Sequence, residues 1–231
     1  MPIVPERLRR PHPAARGRDL GLLLLFVVLL QFGYPVTLYG DLWTGLYMLL
    51  YAGMVFFGLL AVRDERQRVV YVLPLGAIFV VFGVWYSFAQ HDVAATLGML
   101  ASSAAFMFAL MVSLMRFVFL RNERAGLELV VAAVCVFLIL GGFFAATFSI
   151  LEIAQPGSFE DPQTPGRSPH WQQMIYFSYG ALATLGYGEF VPVTPWARSL
   201  ATFETVSGTL FLFVVVARFV GVWTNARPPQ R

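Results

Sequence analysis

Thr184-Leu185-Gly186-Tyr187-Gly188-Glu189 lies inside PHWQQMIYFSYGALATLGYGEFVPVTPW, residues 169–196. Two helix-start signals bracket it. Ser168-Pro169 and Thr194-Pro195 each join a hydroxyl cap to a proline, whose missing N–H costs nothing at a first helical position. The pattern predicts a helix from Pro169 to Ala183, roughly 22 Å long at 1.5 Å per residue. Residues 184–193 are then non-helical and held between two apolar segments. If those segments span a membrane, this backbone lies at membrane depth, where it is tolerated only when buried in protein or facing water. The reading therefore predicts an aqueous pathway.

The composition supplies the membrane. Of 231 residues, 58% are hydrophobic and 13% charged, with mean hydropathy +0.69; a soluble domain carries roughly a quarter charged residues. Five apolar runs long enough to cross about 30 Å of hydrocarbon, and one shorter one, fall at about 19–38, 42–62, 69–89, 93–120, 126–153 and 195–222. Gly33-Tyr34-Pro35 kinks or shortens the first. No small-x-small cleavage site follows that run, so it reads as a retained helix rather than a signal peptide. The expected fold is an all-α membrane protein with six transmembrane helices, a re-entrant helix and a loop. No internal repeat marks an inverted-repeat transporter.

All sixteen basic residues are arginine, and they sit at the ends of the apolar runs. With the N-terminus inside, Arg7, Arg9, Arg10, Arg16, Arg18, Arg63, Arg66, Arg68, Arg116, Arg121, Arg124, Arg218, Arg227 and Arg231 are cytoplasmic, leaving Arg167 and Arg198 outside. The positive-inside rule then places both termini in the cytoplasm of a multi-pass protein in the cell (inner) membrane. The net charge of +3 belongs to these flanks, and no nucleic-acid partner is expected. Cys135, the single cysteine, reads as a packing residue in the fifth span.

The loop chemistry fits a dehydrated monovalent cation. Aiming successive carbonyls at one axis needs alternating backbone conformations, some with positive φ, which glycine adopts freely. Gly186 and Gly188 occupy alternate positions. The carbonyls of Thr184, Leu185, Gly186 and Tyr187, with the Thr184 hydroxyl, would replace the ion's water shell. Tyr187 would point away and brace the loop against Trp171 or Tyr176. One chain supplies one strand of ligands, and cyclic symmetry supplies the rest.

These residues resemble the bacterial potassium-channel pore family, the two-helix ion-channel domain with a P-loop. Thr184–Gly188 differs by one aliphatic residue from the TVGYG filter. The likeness covers about 126–222 and is densest in YFSYGALATLGYGEF and VTPWARSLATFETVSGTLFLFVVVARFVG. It implies a homotetramer with a K⁺-selective filter at Thr184–Gly188 and a pore-lining last helix. Permeant K⁺ is then the only ion held, with no cofactor. Leu185 stands where the family has Val, and Glu189 where it has Asp. Residues 19–120 occupy the place of a voltage-sensor-like domain, between an N-terminal arm (1–18) and the pore domain (126–222), with a tail at 223–231. Run 93–115 contains no arginine, whereas a voltage sensor needs them through the membrane. Steep voltage dependence is not expected. No cytoplasmic ligand-binding domain is expected after Arg218.

Glu204 stands in an otherwise apolar stretch, and an intramembrane carboxylate marks function or a polar clip. The expected bond is to the pore-helix or filter backbone. Gly208 is a candidate gating hinge, with close helix packing as the alternative. His91 and His170 fall on external loops. No nucleophile or metal-ligand pattern points to an enzyme. A poorly selective monovalent cation channel and a non-conducting membrane sensor are the competing readings.

Overall fold

Each apolar run becomes a helix because, away from water, only a helix satisfies every backbone N–H and C=O within its own segment. The computed structural model describes residues 13–63, 66–120, 126–162, 166 and 169–225. Its helices are α1 (Pro13–Gly33), α2 (Asp41–Val62), α3 (Arg66–Phe88), α4 (Val93–Leu120), α5 (Leu127–Ala154), α6 (Trp171–Leu182) and α7 (Pro195–Asn225). All but the short α6 are long and apolar enough to cross a membrane. The chain is an all-α, multi-pass membrane protein.

The expected break in the first span falls where Pro35 removes a donor. There α1 ends at Gly33 and a 3₁₀ turn, Tyr34–Tyr39, continues it. A second proline, Pro74, stays inside α3. The re-entrant helix is shorter than the expected 169–183. It begins at Trp171, with His170 as extended N-cap (φ −85°, ψ 153°). The reason is local: Gln173 Oε1 accepts the His170 N–H at 2.9 Å, closing the first turn one residue beyond Pro169. Ser168 lies outside the described residues. So do Arg7, Arg9, Arg10, Arg121, Arg124, Arg167, Arg227 and Arg231 of the topology argument.

Helix α5 is the centrepiece. It packs on α4 and α1 on one side and on α6 and α7 on the other, while α1–α4 follow one another as antiparallel neighbours. Leu23, Val27 and Leu30 of α1, Phe106 and Leu110 of α4, and Cys135, Ile139 and Phe148 of α5 are all fully buried in one continuous core. The chain boundary near residue 120 is therefore not a packing boundary. Hydroxyls inside this core bond back to their own helices, as Thr147 does to the Phe143 carbonyl (2.8 Å) and Ser149 to that of Ala145 (2.9 Å). Asp19, almost fully buried, pairs with Arg63 at 3.5 Å and joins the neighbouring ends of α1 and α2.

Two short strands, β1 (Phe159–Glu160) and β2 (Val191–Pro192), pair antiparallel. This clip, unforeseen from the sequence, ties the loop after α5 to the segment following the filter motif.

Close approach of α1 and α2 depends on Gly53. A Cβ there would lie 2.2 Å from Phe26 Cε1, whereas one on Gly45 meets nothing within 4 Å. Gly53→Ala should cost about 1–3 kcal/mol by overpacking. Gly45→Ala should be neutral or stabilising by up to about 1 kcal/mol. Thermal unfolding of the two variants in one detergent checks the contrast.

Candidate functional site: the re-entrant helix and its filter loop

Helix α6 is stopped rather than merely ended. Thr184 adopts φ +57°; its N–H bonds the Ala181 carbonyl at 3.0 Å, and the Leu185 N–H bonds that of Gly180 at 2.8 Å. These paired bonds form a Schellman closure, in which the left-handed residue is usually glycine. A β-branched residue there costs on the order of 1–3 kcal/mol, a strain that clusters at functional sites.

Beyond this stop the backbone alternates. Positive φ recurs at Thr184 (+57°), Gly186 (+63°) and Gly188 (+75°), and at neither Leu185 nor Tyr187. An ordinary strand points successive carbonyls to opposite sides; reversing the hand at every second residue can bring them to one side. The two glycines make this affordable. Residues 184–189 are all exposed, whereas Phe190 is buried. Phe190 anchors the loop against Phe159, ring on ring at 5.8 Å and 4°.

Tyr187 stacks on Tyr176 with centroids 6.4 Å apart and planes within 10°. Tyr176 in turn donates its hydroxyl to Glu189 Oε2 at 3.0 Å. Tyr176 and Glu189 thus clasp the outer limb of the loop. Within one chain Trp171 stands elsewhere, its ring against Tyr47 of α2 at 6.0 Å. Beside it, Gln172 Nε2 donates to Thr37 Oγ1 at 3.0 Å. The start of α6 is therefore anchored on the 3₁₀ turn and α2.

The rest of α6 is gripped from two sides. On the α5 side, Tyr179 lies over Gly141, where a Cβ would sit 2.7 Å from the ring, and its hydroxyl donates to the Leu138 carbonyl at 2.5 Å. On the α7 side, Glu204 Oε1 lies 2.5 Å from Ser178 Oγ, and that hydroxyl is also 2.7 Å from the Gly141 carbonyl. One hydroxyl proton serves only one of these acceptors at a time. Glu204 is wholly buried, and its Oε2 has no partner among the described residues. Within the chain its bond is to the Ser178 side chain of α6; the backbone bond expected of it, in the same or a neighbouring subunit, is not among those of the described residues. Thr205 Oγ1, 3.2 Å from the Ala181 carbonyl, helps satisfy the C-terminal end of α6.

Gly208 faces Leu182: a Cβ there would approach Leu182 Cδ1 to 2.5 Å. This contact supports the close-packing alternative for Gly208. Ser178, Gly141 and Thr205 escaped sequence reasoning. The small-residue pair Gly141-Gly142 was the available signal, since such residues mark close helix approach in membranes.

This grip yields a graded expectation. Tyr179→Phe removes one hydrogen bond, worth about 1 kcal/mol. Gly141→Ala displaces the whole ring and should cost more, about 1–3 kcal/mol. Thermal unfolding checks the order, and equal losses would show that the ring–glycine contact contributes nothing.

Comparison with known proteins follows this geometry. Residues 133–225, which hold most of α5 and all of α6, the loop and α7, match the family described as ion channel. The inward rectifier potassium channel Kirbac3.1 of Paramagnetospirillum magnetotacticum is 33% identical over 91 residues, covering 36% of this chain and 27% of that protein. The chain thus spans about a quarter of that relative's length. No solved structure matches it. Over residues 133–225, the part that carries the loop, this chain is similar to the ion channel family.

Proposed function

We propose that the chain is a potassium channel, passive rather than enzymatic, assembled as a homotetramer around the Thr184–Gly188 loops. It would lie in the cell membrane with both termini in the cytoplasm. The observation that carries this reading is the positive φ at every second residue from Thr184 to Gly188, on an exposed face next to the end of a short helix. Four such strands, the number in potassium filters, would close a ring of carbonyls around a dehydrated K⁺. The relative's name supports potassium as the ion.

Burial supports assembly. Only 17% of the apolar window of α7 is buried, against 67% for α5, and Phe203, Val206, Leu210 and Phe213 are exposed along it. Lipid would cover such a helix, but it cannot satisfy the irregular backbone of the adjoining loop. Neighbouring subunits and a water-filled axis can do both. The C-terminal end of α6, at Leu182, carries partial negative charge and favours a cation near the inner end of the filter. Within α4 the only arginine is Arg116, in its last turns, which supports a conductance without steep voltage dependence.

Purified protein in liposomes should show K⁺ flux well above Na⁺ flux. Gly186→Ala should abolish it, because a Cβ at φ +63° costs about 1–2 kcal/mol per subunit and breaks the alternation. Equal K⁺ and Na⁺ fluxes would replace the selective filter with a general cation pore. No flux under any condition would overturn the channel reading.

A further inference from the structure

Away from the filter, a cavity of about 330 Å³ opens between the α3–α4 turn, the end of α5 and the start of α6. It falls within the size range of small-molecule sites, which combine apolar walls with a few directed polar groups. Glu152 is the single acidic side chain on its wall, and it is more than nine-tenths buried. Its oxygens accept the Gly157 N–H at 2.8 Å and the Phe159 N–H at 3.0 Å, so the carboxylate is fixed in place. Among the described residues no cation pairs with it. Trp171, Tyr86, Leu100 and Met174 line the same wall. Its other half is polar, with His91, His170, Gln90, Gln172, Thr96 and Ser149 available to a ligand's hydroxyl.

A fixed carboxylate beside two aromatic rings selects for positive charge, since the ring faces attract cations. Among the described residues no three His, Cys, Asp or Glu side chains come together as a metal site, which argues against a bare ion that needs a full shell of ligands. The geometry points to a binding site for a small organic cation of the quaternary-ammonium class, off any conduction axis and touching the first residue of α6. An occupant would wedge α6 against α4 and α5. This inference does not depend on whether the chain conducts, and binding alone tests it.

Choline is the probe, with its uncharged carbon isostere as control, titrated calorimetrically into purified full-length protein at constant high K⁺. Choline should bind saturably and the isostere should not. Trp171→Leu and Tyr86→Leu should each weaken binding about five- to tenfold. Both variants remove packing, so Thr96→Phe supplies the independent arm: Thr96 lines the cavity, and the larger side chain fills it at the expense of a single exposed hydrogen bond, from Thr96 Oγ1 to the Asp92 carbonyl. That variant should abolish binding while unfolding at the wild-type temperature. Absence of saturable binding by the wild type overturns the proposal. So does binding that survives Thr96→Phe but is lost in Tyr187→Val, which would place the cation at the mouth of the filter.

Discussion

The two hydrogen bonds that stop α6 at Thr184 are the constraint on which the rest of this structure depends. A helix hides its carbonyls along its own axis, and a filter must show them to an ion. The change from one state to the other has to occur at a defined residue, or the register of carbonyls slips. Leu185 N–H to Gly180 O and Thr184 N–H to Ala181 O fix that residue. They also force Thr184 into the left-handed region. Glycine would take that conformation without strain, but the proposed ring of oxygens would then lack the Thr184 hydroxyl. Under the proposed function, the strain follows from asking one residue both to turn the chain and to carry a ligand.

A loop strained at its first residue needs a rigid support, and the polar grip on α6 supplies one. Lipid gives little hydrophobic drive between helices, so membrane helices rely on close approach and directed bonds. Gly141 and Gly208 provide the approach on opposite flanks of α6, against Tyr179 and Leu182. Ser178, Tyr179 and Thr205 provide the bonds. Glu204 fits the same logic as an acceptor whose second oxygen has no partner among the described residues. Its burial puts a polar group at the meeting of α5, α6 and α7, where any sliding of α7 has to break or remake a bond.

Much of this was legible in the sequence, for reasons that differ from residue to residue. Span boundaries were readable because proline and glycine punctuate them: Pro35 ended α1, and Pro195 began α7. The alternation in the filter was readable at Gly186 and Gly188, but not at Thr184, since β-branched residues are ordinarily excluded from positive φ. The start of α6 was misplaced because Ser168-Pro169 is a complete capping signal by itself, and it competes with a second local closure, by Gln173 on His170. Partners were least legible. Glu204 announced itself as a carboxylate in an apolar run. Nothing local tied it to Ser178, or Gln172 to Thr37, because such bonds join residues far apart in the chain.

The position of α1–α4 follows from the same packing. They share one core with α5, and through Thr37 and Tyr47 they reach the start of α6. A close-packed core transmits displacement because it has no slack to absorb it. A shift of the 3₁₀ turn after α1 would therefore be felt at the first residues of α6, while its last residues are held by α7. The filter loop hangs from a short helix with one end fixed to each module. Whatever moves either module therefore bears on that helix, and through it on the loop at 184–189.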